Sequence, residues 1–241
     1  MKKLFAITLV VLSFTTVTSA WEQGVKEPKH LTDARALLKK LDLSKTAYEL
    51  GKGKITWTGA VESYCDCSGF VDTLFQHSYG YDEEQFKKWF GSKRPTAARY
   101  HDAIVDKTGF TRVLLVKDIL PGDLLAIKYL VRKDNTGHIM VVSAAPQKMQ
   151  AKEPTKAGTV QWQVKVIDSS KSGHGNTDTR YKKGADGKDH DGLGEGIFRI
   201  YADQQGKVAG FAWSTLKASK FMPPEEEDLV IGRLKVGFKP Q

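Results

Sequence analysis

The sequence predicts an α+β fold in which helices come first and a mostly antiparallel sheet follows. Helical spacing of apolar residues is concentrated before Pro95, and short runs rich in β-branched residues, bounded by turn-forming residues, come after it. Because helices and strands are segregated along the chain, a sheet built from alternating βα units is disfavoured. The length of 241 residues suits one large domain with appendages.

Composition excludes several classes of protein. Hydrophobic residues make up 40% of the chain and charged residues 27%, which is typical of a globular domain and not of a disordered chain or a multi-span membrane protein. Two cysteines in 241 residues cannot form a disulfide framework. The fold must therefore be stabilised by packing.

The first twenty residues are typical of a secretory signal peptide. Lys2 and Lys3 precede an apolar run from Leu4 to Val17, and small residues end at Ala20, where we expect cleavage. The run is shorter than the roughly 20 residues that span a bilayer, which disfavours the alternative of an uncleaved anchor. The mature chain is expected to start at Trp21, without a membrane span, in the periplasm or outside the cell.

The charge of the mature chain favours anionic surfaces as partners. Without Lys2 and Lys3, 35 Lys and Arg residues face 28 Asp and Glu residues. The basic residues are scattered among acidic ones and no nucleic-acid-binding module is present, so nucleic acid is not an expected partner. The expected partners are cell-wall polymers, peptidoglycan among them. We expect the protein to be a monomer.

Three segments have helical patterns. Apolar residues from Leu31 to about Leu50 predict one or two amphipathic helices in an N-terminal extension, residues 21–53. Residues 67–79 predict a helix that Gly80 ends, and Asp82 to Phe90 predicts another that stops at Gly91. The stretch from Asp82 to Lys117 is expected to add a helical cover.

The remainder, within a main domain of residues 54–241, has the pattern of strands. Strands are predicted at residues 124–127, 137–143, 160–168, 196–201 and 208–213. Two long polar segments, residues 145–159 and 169–194, are predicted to be loops. Structureless loops of this length in a compact domain are usually functional or disordered.

Cys67 is the candidate nucleophile. It is predicted at the start of a helix, where the partial positive charge of the helix N-terminus favours a thiolate. A nucleophilic cysteine also needs an imidazole within hydrogen-bond reach and a third group that orients the ring. A buried structural cysteine or a Cys65–Cys67 disulfide are the alternatives.

His138 and Asp168 are the candidate partners of Cys67. His138 begins a predicted strand, and Asp168 ends the next one on its more apolar face, where a carboxylate needs a partner. His174, six residues further on in a glycine-flanked loop, is the competitor of Asp168. A strand end positions a side chain better than a loop does, which favours Asp168.

Three short motifs resemble the NlpC/P60 family of papain-like cysteine peptidases. Asp66–Val71 reads Asp-Cys-Ser-Gly-Phe-Val, residues 121–125 read Pro-Gly-Asp-Leu-Leu, and residues 137–139 read Gly-His-Ile. The resemblance covers roughly residues 54–170. It implies a papain-like fold in which the helix that begins at the catalytic Cys67 packs on the antiparallel sheet that carries His138.

The resemblance also implies roles for individual residues. Cys67 would be the nucleophile, His138 the general base and then acid, and a third polar residue, placed here at Asp168, would orient the ring; that position is often His in the family. Some members hold the amino group of a cell-wall stem peptide with the Asp and Ser beside the nucleophile, which here are Asp66 and Ser68. Tyr64 is expected to bind substrate at the same mouth.

The sequence therefore predicts an exported cysteine peptidase that hydrolyses an amide bond in peptidoglycan stem peptides, after D-glutamate in the family's common reaction. The predicted chemistry needs no cofactor. No metal is expected either, because the two cysteines lack the spacing of zinc ligands and a calcium-like stretch near residue 190 lacks the required carboxylates. The alternatives are a catalytically silent wall-binding protein and a thiol acyltransferase or amidase. Four other histidines are expected at the surface: His30, His77, His101 and His190.

Overall fold

The structure, a computed structural model, describes residues 26–132, 134–181 and 190–240. The predicted signal peptide, residues 1–20, lies outside these residues. The helices are α1 (Lys29–Lys40), α2 (Cys67–Tyr79), α3 (Glu83–Phe90) and α4 (Ala97–Val105). The strands are β1 (Thr46–Tyr48), β2 (Gly53–Thr56), β3 (Glu62–Cys65), β4 (Phe110–Val113), β5 (Leu124–Tyr129), β6 (Gly137–Val142), β7 (Gln147–Lys148), β8 (Val160–Ser170), β9 (Gly192–Ala202), β10 (Val208–Ala212), β11 (Phe221–Met222) and β12 (Glu227–Leu234).

The strands form two sheets, and the predicted α+β class is confirmed. The large sheet runs β11-β10-β9-β8-β6-β5-β12-β4 with β7 on β8, and its pairings are antiparallel. In the small sheet β3 lies between β1 and β2, parallel to β1 and antiparallel to β2. The small sheet precedes α2 in the chain, so β3 leads directly into the helix that begins at Cys67.

Alternation along the strands produces an apolar core on each face of the large sheet. In β6, Ile139 and Val141 pack with the helices, whereas Met140 and Val142 pack in the second core. The second core is enclosed because the sheet curls until β10 contacts β12. Strands β5 and β6 are therefore buried on both faces, which explains their almost continuous hydrophobic sequence.

Helix α2 is fixed at both ends by local sequence. Asp66 is its N-cap and accepts a hydrogen bond from the backbone N–H of Gly69 at 2.7 Å. Gly80 ends the helix with φ 73°, a left-handed conformation that glycine adopts without strain. The predicted helix and its glycine stop are confirmed, and Cys67 is the first residue of the helix.

Gly69 brings the first turn of α2 into contact with the chain before β2. A Cβ atom at this position would lie 2.1 Å from the carbonyl oxygen of Lys52. The same carbonyl accepts the backbone N–H of Asp66 at 3.0 Å and a guanidinium N–H of Arg94 at 2.9 Å. The absence of a side chain at Gly69 is thus a requirement of the packing around Cys67.

The predicted organisation of the N-terminal segment is only partly right. Helix α1 is confirmed, but β1 follows it and pairs with β3, so the segment is not purely helical. The predicted boundary between residues 53 and 54 falls within β2, which pairs with β3. Residues 26–53 thus contribute α1, which packs with α2, and β1, which belongs to the small sheet, and they are not a separate appendage.

Other boundaries also need correction. The predicted loop at 169–194 is shorter, because β8 continues to Ser170 and β9 begins at Gly192. Of the residues between them, 182–189 lie outside the described part. The predicted loop at 145–159 contains the short strand β7, and the predicted helical cover contains β4 as well as α3 and α4. Strand β12, which lies between β5 and the edge strand β4 of the large sheet, has no counterpart among the predicted strands.

Two histidines expected at the surface are buried. His30 is 1% exposed, and its Nε2 lies 2.7 Å from the Gly122 carbonyl oxygen. His101 is 5% exposed and lies between the carboxylates of Asp102 and Asp228. Both predictions are wrong because each ring also contacts a segment that is distant in sequence, at Gly122 for His30 and at Asp228 for His101.

Replacing Gly69 with alanine is expected to destabilise the fold by about 1–3 kcal/mol, because the added methyl group collides with the Lys52 carbonyl. This exceeds the gain of up to about 1 kcal/mol that alanine brings to a helix. Urea denaturation measures the difference. Gln76→Ala, in the same helix, is the control and should change stability by less than about 0.5 kcal/mol. Equal or greater stability of Gly69→Ala would contradict this account of the packing.

Candidate active site

The structure brings His138 and Asp168 together at the divergence of two strands. Strands β6 and β8 pair only at Val141–Ile167 and Val142–Val166 and separate towards the end that carries these two side chains. His138 Nε2 lies 2.6 Å from Asp168 Oδ2. Since the carboxylate only accepts, Nε2 carries a proton, and Nδ1 is the nitrogen left for another partner.

Cys67 faces His138 from the N-terminus of α2. Burial opposes a charge on His138, but the attraction of Cys67, the hydrogen bond to Asp168 and a hydrogen bond with Cys67 outweigh it and raise the pKa of His138 to about 9. The imidazole is therefore held as a cation next to the sulfur. A positively charged group next to the sulfur is typical of the surroundings of reactive cysteines.

Asp168 is the centre of a buried network of charges. Its Oδ2 also lies 3.1 Å from His174 Nε2, and its Oδ1 accepts from the Arg180 guanidinium at 2.9 Å. Arg180 is paired in turn with Asp178, at 2.8 Å, and is fully buried. Burial opposes ionisation of Asp168, but Arg180 first, then His174 and His138, outweighs it and holds the pKa of Asp168 well below its usual range.

Asp168 and His174, the two candidates for the third residue, both belong to this network, and Asp168 lies between His138 and His174. Asp168 contacts His138 directly, whereas His174 contacts Asp168 from its other side. The Nδ1 atom of His174 donates to the Trp213 carbonyl oxygen at 2.7 Å, and the Trp213 ring packs against both histidines. His174 therefore supports the carboxylate and does not replace it.

The two cysteines lie in different environments, and both are free. Cys65 is the last residue of β3 and is fully buried. Burial raises the pKa of this thiol to about 11, and hydrogen bonds with Ser63 and Ser169 offset only part of this rise. Cys67 lines a cavity next to the first turn of α2. Of the two sulfurs, only that of Cys67 can thus meet a molecule that enters from solvent.

Two adjoining cavities flank the Cys67–His138 pair. One, of about 600 Å³, contains His138 and has Phe211 and Trp213 in its wall. The other, of about 210 Å³, contains Cys67, Asp66 and Ser68. Tyr48, Leu50, Asp134 and Asn135 line both, so the two cavities form one cleft across the pair.

The residues predicted to bind substrate are only partly at this cleft. Asp66 and Ser68 line the smaller cavity, but Tyr64 lines neither. Tyr48 lies there instead, on β1, and burial together with the charges of Cys67 and Asp66 raises the pKa of its phenol above the usual range. Tyr48 therefore remains a hydrogen-bond donor close to the sulfur.

His138, Asp168 and His174 could also hold a metal ion. One ligand atom from each lies within 4.8 Å of the others. The guanidinium of Arg180 on the same carboxylate opposes a second cation, since Asp168 and Asp178 already share its charge. Asp168 already has N–H partners without a metal: its Oδ2 faces the Nε2 atoms of His138 and His174, and its Oδ1 accepts from Arg180.

Sequence reasoning missed Tyr48, Arg180 and Arg94, the arginine beside Asp66. Nothing in the local sequence of Tyr48 or Arg94 marks them, because both reach the cleft from distant segments. Arg180 had a weak signal: a long glycine-rich segment carries His174, Asp178 and Arg180 at short intervals. Such polar residues in a loop can form a buried network if the loop folds onto the sheet.

Fold and site together define an α+β protein with a Cys–His–Asp arrangement between the N-terminus of a helix and a mostly antiparallel sheet. The chain is 32% identical over 225 residues to an uncharacterized protein of Acanthamoeba polyphaga mimivirus, an alignment that spans 87% of this chain and 98% of the relative. The chain belongs to the same family as this viral protein.

Two other comparisons found no match: no family model matches the chain, and no solved structure does. Among the described residues, no helix is both long enough and apolar enough to cross a membrane.

The Asp168 network makes a prediction for stability. Asp168→Asn keeps the shape of the side chain but leaves Arg180 with one carboxylate fewer in a site that solvent does not reach. We expect a loss of about 3–5 kcal/mol in unfolding free energy at neutral pH, measured by urea denaturation. Asp228→Asn removes a more exposed carboxylate that also contacts a histidine, and should cost less than about 1 kcal/mol. Similar losses in both variants would contradict the network's importance.

The His138 environment makes a prediction for titration. NMR should show the His138 ring titrating near pH 9, against the ordinary value of 6.5. Because the folded-state pKa is the higher one, the stability it contributes is complete below about pH 6.5 and is lost as the pH rises through about 9. Cys67→Ala removes the largest attraction and should lower the midpoint, while Cys65→Ala should not. An unchanged midpoint in Cys67→Ala would show that the sulfur does not face the ring.

Proposed function

We propose that this protein is an exported papain-like cysteine peptidase of the NlpC/P60 type that hydrolyses an amide bond in peptidoglycan stem peptides. The observation that carries the proposal is the position of His138. One nitrogen of its ring donates a hydrogen bond to Asp168, and the attraction of Cys67 raises the pKa of the ring. The motif around Cys67 supports the family, and residues 1–20 support export and a location in the periplasm or outside the cell.

In the first half of the proposed reaction the Cys67 thiolate attacks the amide carbonyl carbon. A C–S bond forms, and the π electrons of the carbonyl move to its oxygen. The Tyr48 phenol and backbone N–H groups in the first turn of α2 are the donors available to this oxyanion. The oxyanion then collapses, His138 gives its proton to the amide nitrogen, the C–N bond breaks and the amine leaves.

In the second half His138, now neutral, takes a proton from water as the water attacks the thioester. The C–O bond forms, the C–S bond breaks, and the carboxylic acid leaves as the thiolate–imidazolium pair is restored. Asp168 holds the ring in one tautomer throughout. His174 and Arg180 hold Asp168 and thus act as positioning residues.

Peptidoglycan digestion tests the proposal directly. The purified protein is incubated with purified cell walls, and released fragments and new amine ends are identified by mass spectrometry. Cys67→Ala should lower the rate by about 10³-fold or more without unfolding the protein, because the nucleophile is lost. Cys65→Ala is the matched control and should keep the wild-type rate, since that sulfur is sealed in the interior.

Three outcomes would separate the proposal from its alternatives. Release that persists in a folded Cys67→Ala variant would refute the nucleophile. Binding to the wall without new amine ends would indicate a catalytically silent wall-binding protein. Products in which the acyl group has moved to an added amine would indicate an acyltransferase that uses the same acyl-enzyme.

A further inference from the structure

The smaller cavity beside Cys67 differs from what the sequence predicts for it. The prediction places Asp66 and Ser68 there as ligands for a substrate amino group. Both residues line the cavity, together with Arg94 and Thr96 from the segment before α4 and with the turn that leads into β6. Whether Asp66 can bind an amine depends on which of its hydrogen-bonding sites are still free.

The Asp66 carboxylate is already fully engaged. Its Oδ1 accepts from the backbone N–H of Gly69 at 2.7 Å and from the Ser68 hydroxyl at 3.2 Å. Its Oδ2 accepts from the backbone N–H of Gly51 at 2.8 Å and forms an ion pair with Arg94 at 2.7 Å. Two acceptors with four donors, on a side chain only 6% exposed, leave no vacant position for an amine.

Arg94, in contrast, uses only one of its three guanidinium nitrogens in hydrogen bonds with the described residues. Its Nη2 atom makes both of its bonds, to Asp66 and to the Lys52 carbonyl oxygen. Its Nε and Nη1 atoms have no acceptor among residues 26–132, 134–181 and 190–240, and the side chain is 38% exposed at the cavity. Two unused N–H groups of one guanidinium match the two oxygens of a carboxylate.

The position of Arg94 relative to the sulfur supports a role in binding. Burial opposes its charge, but Asp66, then Asp72 and Cys67, more than compensate and raise the pKa of Arg94 above its usual value. The guanidinium is therefore close enough to feel the charge of Cys67. Among the described residues, the smaller cavity has one carboxylate besides Asp66: Asp134, on the turn before β6, which lines both cavities.

We propose that Arg94 binds a carboxylate of the substrate in the cavity beside Cys67 and so selects substrates with an anionic group next to the scissile amide. This inference rests on the proposed function, because it assumes that the cleft binds a substrate. The sequence predicts that the cavity binds a positively charged amino group, whereas Arg94 would bind a negatively charged group. Asp66 is then a positioning residue that holds Arg94 and the first turn of α2. The Thr96 hydroxyl can supply a further hydrogen bond in the same cavity.

Alkylation of Cys67 tests this without any assumption about the natural substrate. Iodoacetate and iodoacetamide react alike: the sulfur forms a bond to the methylene carbon, the C–I bond breaks and iodide leaves. The two reagents differ in that only iodoacetate carries a carboxylate. The ratio of their rate constants at Cys67, followed by mass spectrometry of the tryptic peptide, therefore reports on a cation that binds an anion beside the sulfur.

Arg94→Gln should lower the iodoacetate-to-iodoacetamide ratio about tenfold or more, the effect of one lost charge-assisted contact. Arg94→Lys keeps the charge without the two-pronged geometry and should give an intermediate ratio. Arg112→Gln, on β4 and outside both cavities, is the control and should leave the ratio unchanged. Three other donors still hold Asp66 in these variants, so the fold is expected to persist.

The outcomes separate this inference from the proposed function. If Cys67 reacts readily but Arg94→Gln leaves the ratio unchanged, Arg94 does not bind the anion and only this inference fails. If Cys67 reacts no faster than a denatured-state cysteine with either reagent, the nucleophile itself is refuted and both fail. A variant that unfolds by circular dichroism is replaced by Arg94→Lys, for which an unchanged ratio together with unchanged affinity for acetate refutes the inference.

Discussion

The site depends on a buried carboxylate that is kept ionised. Asp168, Asp178 and Arg180 place two negative charges and one positive charge where solvent does not reach them. The excess negative charge faces two imidazoles. The His174 ring contacts Asp168 and the Trp213 carbonyl oxygen, and the His138 ring is held as a cation. Burying such a cluster costs free energy, and what the cluster provides in return is a fixed position and a positive charge for the His138 ring.

Backbone contact, rather than side-chain packing, determines where the sulfur lies. The Lys52 carbonyl oxygen accepts hydrogen bonds from the Asp66 N–H and from the Arg94 guanidinium. Gly69 has no side chain and therefore lets helix α2 approach this carbonyl. Cys67 therefore inherits its position from the small sheet, whereas His138 and Asp168 inherit theirs from the large one. The Cys67–His138 pair spans the junction of the two sheets, and residues 26–53 pack with the helix that begins at Cys67 and are not an appendage.

The parts of this arrangement that could be predicted from sequence are those with local signals. Helix α2 has a periodic apolar face, an aspartate N-cap and a glycine stop, and strands β5, β6 and β8 have runs of apolar or β-branched residues. Strand β12 was missed because an acidic stretch precedes it and its neighbours in the sheet are distant in sequence. His30 was misplaced for the same reason: its partner, Gly122, lies 92 residues away. Asp168 was placed correctly against His138 because strand parity limits where a carboxylate can point.

Residues proposed to bind a substrate are harder to predict than a proposed nucleophile, and the cleft shows why. A nucleophile must lie at a special backbone position, so Cys67 is marked by the residues around it. Tyr48 and Arg94 need only reach the cleft, and any segment that passes near can supply them. Asp66 shows the converse, since its place beside the nucleophile suggests a ligand while its four donors make it a support. Two proteins can thus share the motif around the cysteine and still differ in the charge of the substrate that they accept.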